Sequence, residues 1–287
     1  MFARSILVIS FAAVLAPAAF PDSFTFSSID VPGAVKTYAI GINAFGQIVG
    51  GSIDVTGAEH GFLYKSGKFS TIDAPAASPG TTEARRINAF GQIVGGFKDG
   101  IGDHGFLDIL GHFSTIDDPT GLPGNTVVFG INDWGQIVGY AYDGTKVHGF
   151  LDNRGSFSTI DDPAATTNSN PVDINDWGQI VGYYTDGSDH GFLYSRGSFS
   201  KIDAPGASAT YAFGINNWGQ IVGYYKDGTG VFHGFLDQGG SFSTFDVPGA
   251  SGTFAFEIND LCQIVGYYID ARGVFHGFLA KSILREK

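Results

Sequence analysis

Four charged residues occupy positions of a repeated sequence at which the other copies carry mostly glycine or apolar residues. Arg86, Asp173 and Glu257 each precede the isoleucine of a recurring Ile-Asn motif, and Arg85 stands next to Arg86. An arginine and two carboxylates near one axis would provide an acid/base pair and an anion clamp. The same side chains could equally form a salt-bridged plug, and the sequence leaves both alternatives open. Glu83, just before this arginine pair, is a further candidate for ligand binding.

Large apolar side chains form a second set of candidates, because they recur at one equivalent turn position. The six residues are Phe45, Phe90, Trp134, Trp177, Trp218 and Leu261. Exposed rings at this position would be stacking platforms for sugars, whereas buried rings would wedge between repeats. Tyr183 and Tyr224 belong to a tyrosine set with the same two alternatives. The aromatic candidates for binding are therefore Trp134, Trp177, Trp218, Tyr183 and Tyr224.

Each repeat also carries one histidine and two aspartates, residue types that could bind a metal. The histidines are His60, His104, His148, His190, His233 and His276. The first aspartate set, expected to accept the histidine N–H, is Asp54, Asp99, Asp143, Asp186, Asp227 and Asp270. The second set, expected to cap turns before a proline, is Asp30, Asp73, Asp117, Asp161, Asp203 and Asp246.

A shared metal site is not expected from these residues. The histidines belong to the third strand of each repeat, on the order of 10 Å behind the innermost strands, and they cannot converge on one ion. A ring of exposed carboxylates from the second aspartate set could bind Ca²⁺, but nothing else in the sequence supports it. We therefore predict no metal site and no cofactor.

All these candidates recur because the chain is built from six copies of one unit. Three blocks return in fixed order, F-S-x-[IF]-D-x-P, I-N-x-x-[GC]-Q-I-V-G and H-G-F-L, with successive copies 41 to 45 residues apart. The fifth copy shows four strand-like runs, Thr210–Asn216, Gln220–Lys226, Val231–Leu236 and Ser241–Asp246, separated by Asn/Gly and Asp/Gly turns. Four strands in a unit of this length are typical of one blade of a β-propeller.

The ends of the repeat array support the same architecture. The block Phe24–Asp30 is a fourth strand without partners in its own unit, and the last unit stops after its third strand at Leu279. We therefore predict an all-β, six-bladed β-propeller with four antiparallel strands per blade, closed when the N-terminal strand completes the last blade. A solenoid is the alternative, but it would need terminal caps that the sequence does not show.

Composition and charge exclude several classes of protein. Glycine contributes 43 of 287 residues and charged residues only 15%, which argues against disorder and against a helical fold. The net charge of −12 disfavours nucleic acid as a partner. Cys262 is the single cysteine, so no intramolecular disulfide can form.

The N-terminus resembles a secretory signal peptide. Arg4 precedes an apolar stretch from Ser5 to Leu15 and the small-residue pattern Ala16-Pro17-Ala18. We predict a signal peptide over 1–18 and a single propeller domain over 19–287, in a monomeric protein that is secreted or periplasmic. The apolar stretch is too short for a membrane span.

The motif at Gly214–Asp227, followed by His233–Leu236, resembles the bacterial extracellular repeats of the HAF family. The middle residue of the HAF triplet is glycine here. The resemblance covers nearly the whole chain after residue 18 and implies an exported bacterial β-propeller. It brings no reaction and no catalytic residues with it.

These observations predict a binding module for a polysaccharide or another cell-surface partner. The first alternative is a glycan lyase or hydrolase, with Arg85, Arg86, Asp173 and Glu257 at the mouth of the central channel. The second is a purely structural extracellular scaffold.

Overall fold

The repeats fold into six four-stranded antiparallel sheets in a computed structural model that describes residues 23–283. Each sheet is one blade, and each blade packs against the next around a closed ring. The predicted six-bladed β-propeller is confirmed. The predicted signal peptide lies outside the described residues. Among the described residues, no helix is long and apolar enough to cross a membrane.

The strands are numbered in chain order, and the first one belongs to the last blade. Strand β1 (Ser23–Ile29) is the outermost strand of blade 6, whose other three strands come from the end of the chain. Blade 1 contains β2 (Lys36–Ile42), β3 (Ile48–Ile53), β4 (Glu59–Lys65) and β5 (Lys68–Ile72). Blade 2 contains β6 (Thr82–Ile87), β7 (Gln92–Lys98), β8 (Asp103–Ile109) and β9 (His112–Ile116). Blade 3 contains β10 (Thr126–Ile131), β11 (Gln136–Tyr142), β12 (Val147–Asn153) and β13 (Ser156–Thr159).

The second half of the ring repeats this order. Blade 4 contains β14 (Ser169–Ile174), β15 (Ile180–Thr185), β16 (Asp189–Ser195) and β17 (Ser198–Ile202). Blade 5 contains β18 (Ala209–Ile215), β19 (Gln220–Lys226), β20 (Phe232–Gln238) and β21 (Ser241–Phe245). Blade 6 adds β22 (Gly252–Ile258), β23 (Gln263–Ile269) and β24 (Phe275–Ile283) to β1.

The ring closes between the two ends of the described chain. Strand β1 pairs antiparallel with β24 in an unbroken register that runs from Ser23 opposite Ile283 to Ile29 opposite Gly277. Blade 6 is thus assembled from both ends, as the offset of the repeats predicts. This strand closes the circle by backbone hydrogen bonds, since no disulfide is available.

The phenylalanine of each H-G-F-L block forms the centre of its blade's core. These side chains are at most 2% exposed, and they are Phe62, Phe106, Phe150, Phe192, Phe235 and Phe278. The last glycine of each Q-I-V-G block lies against them, where the first strand carries a β-bulge. A Cβ on Gly223 would stand 2.0 Å from the Tyr211 carbonyl oxygen and 2.9 Å from the Phe235 ring. No other residue type fits there.

The hairpins between the first and second strands are joined by a closed ring of asparagine hydrogen bonds. In each hairpin the buried asparagine accepts two backbone N–H groups through its Oδ1 and donates its Nδ2–H to the glutamine of the same hairpin. The same Nδ2 also donates to the backbone carbonyl of the equivalent asparagine in the next blade, as from Asn175 to Asn216 at 3.1 Å. The circle is completed by Asn259, which donates to the Asn43 carbonyl at 3.0 Å.

Replacement of one ring asparagine should destabilise the whole propeller. Asn175→Ala removes an interblade donor and leaves the buried N–H groups of its own hairpin without their acceptor, so we expect the free energy of unfolding to fall by about 2 kcal/mol or more. Chemical denaturation measures this change. Asn153→Ala is the matched control, because Asn153 lies exposed at the end of β12. Equal stability of the two variants would contradict a structural role for the ring.

Candidate functional site

One face of the disc carries large exposed apolar side chains, and we call it the tryptophan face. It is formed by the hairpins that join the first and second strands and those that join the third and fourth strands of each blade. The exposed side chains are Phe45 (75%), Phe90 (73%), Trp134 (63%), Trp177 (76%), Trp218 (64%) and Leu261 (65%). The sequence left open whether these turn side chains are exposed or wedge between repeats, and the structure shows them exposed.

The three indoles are fixed although they are exposed. Trp134 donates its Nε1–H to the backbone carbonyl of Asp176 in the next blade at 3.1 Å. Trp177 and Trp218 make the same bond to their own neighbours, at 2.9 and 3.1 Å. Each ring nitrogen is satisfied by protein, while most of the ring surface stays open to solvent. Because these rings are already fixed, an apolar ligand surface can stack on them without a further loss of side-chain conformational freedom.

A large cavity opens on this face between blades 2 and 3, and we call it the blade 2–3 groove. Its volume is about 950 Å³. The floor and walls are formed by Leu107, Ser114, Ile116, Ile131, Ile137 and Asp152. The mouth is formed by Phe90, Gln92, Asp133, Trp134, Arg154 and Asp176. The groove thus combines two exposed aromatic rings with several polar side chains.

Asp152 is the polar group deepest in the groove. It is only 6% exposed, and its Oδ1 accepts the Gly155 N–H at 2.5 Å. Burial raises the pKa of this carboxyl group, and the charge of Asp118 raises it further. At the mouth, burial also raises the pKa of Asp133, whose Oδ1 accepts the Ala89 N–H at 2.8 Å.

Arg154 connects the outer turn of blade 3 to the tryptophan hairpin. Its backbone is in the left-handed region with φ of 56°, and Gly155 follows it. Its Nη2 donates to the Trp134 carbonyl at 3.1 Å, which holds the guanidinium at the rim of the groove. The groove therefore offers both donors and acceptors beside the aromatic rings.

One outer-strand position contributes a small polar side chain to the groove, where some other blades carry a tyrosine. The residue after each H-G-F-L block is Tyr64, Asp108, Asp152, Tyr194, Asp237 or Ala280. In blade 4, Tyr194 packs into the apolar cluster between blades 3 and 4 and contacts Phe199 with ring centroids 4.8 Å apart. In blade 3 the smaller Asp152 stands at the equivalent position and lines the groove. This outer position is absent from the sequence candidates, because those with broken symmetry all lie on the innermost strands.

The charged residues at the axis form a buried cluster. Arg86, Asp173 and Glu257 are 3%, 3% and 6% exposed. The Arg86 guanidinium pairs with Glu257 and lies 3.4 Å from Asp173, measured from Nε to Oδ1. Burial raises the pKa of both carboxyl groups, and the charge of Arg86 opposes the rise.

Backbone carbonyls complete the coordination of the Arg86 guanidinium. Its Nη atoms donate to the carbonyl oxygens of Ile40 at 3.0 Å, Phe213 at 2.6 Å and Phe256 at 2.9 Å, which belong to three other blades. The side chain is thus held from several directions across the axis. This geometry favours the salt-bridged plug over an acid/base pair open to substrate.

The alternation of glycine and charge around the axis has a steric cause. A Cβ on Gly41 would lie 2.6 Å from the Arg85 carbonyl oxygen, and one on Gly214 would lie 2.7 Å from the Phe256 carbonyl oxygen. Gly130 is equally close to the backbone of blade 4. Because of this crowding, only alternate blades can place a side chain at the axis.

The remaining sequence candidates have partners elsewhere. Arg85 pairs with Glu83 at 2.8 Å and lies 4.9 Å from the centre of the Phe129 ring, so it does not join the Arg86 cluster. Tyr183 and Tyr224 are half-buried in a group of packed aromatic rings towards the other end of their strands. Burial raises the pKa of Tyr183 to about 12. None of these residues lines the blade 2–3 groove.

The histidines contact both aspartate sets, where only the first set was expected. The strand register places each histidine opposite the second set, and His233 Nδ1 lies 2.8 Å from Asp246. The first set faces the other ring nitrogen, as in His104, whose Nε2 lies 3.2 Å from Asp99, and it also caps its own hairpin. Asp227 accepts the N–H groups of Thr229 and Val231 at 2.8 and 2.9 Å and lies 3.5 Å from His233 Nε2. Among residues 23–283, no group of three or more histidine, cysteine or acidic residues could hold a metal ion.

Comparison with protein-family models gives no match, and comparison with curated proteins gives none either. The similar solved structures are β-propellers. A mutant of the Aleuria aurantia lectin in complex with Fucα1-6GlcNAc is 14% identical, with a TM-score of 0.52, and covers 88% of this chain and 93% of its own. A gluconolactonase from Xanthomonas campestris is 13% identical, with a TM-score of 0.55, and covers 95% and 93%.

TolB from Acinetobacter baumannii is 12% identical, with a TM-score of 0.55, and the match covers 83% of this chain and 64% of TolB. At these identities the likeness shows a shared fold alone. The neighbours include both binding proteins and enzymes, so the activity of this chain must be argued from its own residues.

Loss of the central arginine should destabilise the protein far more than loss of the arginine beside it. Arg86→Met leaves two buried carboxylates without a cation, so we expect the free energy of unfolding to fall by about 3 kcal/mol or more at pH 8. Acidification should reduce the loss, because protonation neutralises carboxyl groups whose pKa burial has raised. Arg85→Met, in a half-buried pair, should cost about 1 kcal/mol. A tolerated Arg86→Met would contradict the plug.

The histidine pairs should make the folded state more stable in mild acid than in mild base. Burial opposes protonation of His104 and His233, but their aspartate partners raise the pKa of both above the usual 6.5. Their stabilisation is therefore complete below pH 6.5 and is lost as the pH rises through the folded pKa. At the acid end, hydrogen bonds hold the pKa of Asp227 at about 2, so its contribution is lost as the pH falls from about 4 towards 2.

Denaturation at pH 5.5 and pH 8 measures this effect. The difference between the two pH values should shrink in the His104→Gln/His233→Gln double variant. An unchanged difference would show that other groups cause the pH dependence.

Proposed function

We propose that this protein is a glycan-binding module whose main site is the blade 2–3 groove. The observation that carries the proposal is the exposure of Phe90 and Trp134 on either side of a cavity of about 950 Å³. Sugars present apolar C–H faces and a rim of hydroxyl groups. A site that recognises them needs flat apolar rings and hydrogen-bonding side chains in one place.

The polar side chains of the groove supply those hydrogen bonds. Asp133, Asp152 and Asp176 offer carboxylate acceptors, and Arg154 offers donors at the rim. The cavity volume is in the range of small-molecule sites and would accommodate a short oligosaccharide. A ring of this ligand stacked on Trp134 would have its hydroxyl groups within reach of these side chains.

The wider tryptophan face would extend binding to a longer chain. Trp177 and Trp218 repeat the geometry of Trp134 around the disc, with their nitrogens bonded and their rings exposed. A polysaccharide or a cell-surface glycan that crosses the face would contact several of these platforms. The Aleuria lectin carries a bound fucosylated disaccharide, which makes a sugar a reasonable ligand class for a protein with this fold.

We extend the proposal to the rest of the chain. The protein would be an exported monomer of the HAF repeat family from a bacterium, with a signal peptide over 1–18 and one propeller domain over 19–287. Export fits a glycan at the cell surface as the partner. The burial of Arg86, Asp173 and Glu257 gives no support to catalysis at the channel mouth, so we do not propose an enzyme.

A glycan array followed by calorimetry with the best short oligosaccharide tests the proposal. Trp134→Ala should weaken binding at least tenfold, about 1.4 kcal/mol, because it removes the stacking surface of the groove. Trp218→Ala is the matched control, since Trp218 is equally exposed and equally bonded but lies in blade 5. It should leave the affinity for a short ligand unchanged. Failure of every glycan to bind, or full binding by the Trp134→Ala variant, would overturn the proposed function.

A further inference from the structure

The blade 2–3 groove has an uneven balance of charge. Three carboxylates line it, from Asp133, Asp152 and Asp176, against the single guanidinium of Arg154. That guanidinium lies at the rim and bonds to the Trp134 carbonyl. Asp133 has one oxygen engaged by a backbone N–H, and both oxygens of Asp176 accept hydrogen bonds, one from the Asp133 N–H and one from the Asn217 amide. The interior of the groove is therefore a region of negative potential beside exposed aromatic rings.

Asp152 has no cation beside it. Its carboxylate accepts the backbone N–H of Gly155 and a further backbone hydrogen bond from Ser156, but among residues 23–283 no lysine, arginine or histidine forms a salt bridge with it. A carboxylate that is only 6% exposed and lacks a counter-ion carries a desolvation cost. A positively charged group of a ligand in the groove would offset this cost through a charge-assisted hydrogen bond to the carboxylate.

Asp108 and Asp237 occupy the position equivalent to Asp152 in two other blades, and they show which of its contacts are structural. Asp108 and Asp237 are also buried, and each accepts the N–H of its turn glycine, at 2.6 and 2.7 Å. Holding the turn is therefore common to all three. Of the three, only Asp152 lines the blade 2–3 groove.

We propose that the blade 2–3 groove selects saccharides that carry a free amino group, with the ammonium bound by Asp152 and the sugar ring stacked on Trp134. This inference rests on the proposed function and names its ligand class. The indole face adds an attraction for the cation, because an ammonium group near a tryptophan ring is stabilised by the ring's quadrupole. A uronic acid would meet three carboxylates and be repelled.

The experiment compares three oligosaccharides of equal length by calorimetry at pH 6 and 150 mM salt. The probes are a glucosamine tetramer, its N-acetylated counterpart and a galacturonic acid tetramer. We expect the amine-bearing probe to bind at least tenfold more tightly than the acetylated one, and the uronic acid to bind most weakly. Asp152→Asn should abolish the preference, so that the amine-bearing and the acetylated probe bind this variant with similar affinities. The variant should fold, because the asparagine oxygen can still accept the Gly155 N–H.

Asp237→Asn is the matched control, because it removes the same charge from an equivalent buried site outside the groove. It should keep the full preference for the amine. An equal loss in Asp152→Asn and Asp237→Asn would mean that overall negative charge attracts the probe, and it would overturn the inference. Trp134-dependent binding of amine and acetylated probes with equal affinity would overturn the inference but leave the proposed function in place. Failure of all glycans to bind would overturn both.

Discussion

The ring of asparagine hydrogen bonds is the interaction on which the rest of the structure depends. Each Nδ2 donates within its own hairpin and across to the next blade, and the ring closes from Asn259 to Asn43. An isolated four-stranded sheet would expose the apolar surface that these contacts bring together. Because the ring fixes the spacing of six hairpins, it also fixes the positions of the exposed rings that follow each asparagine. The same asparagine hydrogen bonds therefore hold the blades together and position the exposed rings of the candidate site.

A second constraint is the lack of space at the central axis of the ring. Backbones of neighbouring blades approach so closely at Gly41, Gly130 and Gly214 that side chains can enter only from the other three blades. Those three side chains close the axis with a guanidinium and two carboxylates. Binding is therefore expected on the surfaces of this disc and between its blades. The blade 2–3 groove is such a place, with Asp152 among its lining side chains.

The fold was predictable from the sequence because every blade repeats the same signals. The Asn-x-x-Gly and Asp-Gly turns set strand boundaries, and the unpartnered first block predicted the pairing of β1 with β24. The site was harder, since a repeated pattern does not reveal how far a turn side chain such as Trp134 projects into solvent. The prediction for the histidines was incomplete. The sequence indicated their contact with the first aspartate set, but the strand register also places the second set beside them, as with Asp246 and His233.

The pairing of β1 with β24 brings the two ends of the described chain together, which determines where another protein could be fused to this one. Ser23 and Ile283 face each other at the outer edge of blade 6. They lie at the tryptophan-face end of its strands, because Lys281 pairs with Gln263, next to the Leu261 hairpin. Blade 6 lies across the ring from blade 3 and thus from the groove. A carrier protein fused at this edge would hold the disc at the rim of its tryptophan face opposite the groove, and the other flat surface would remain free to meet large, extended partners.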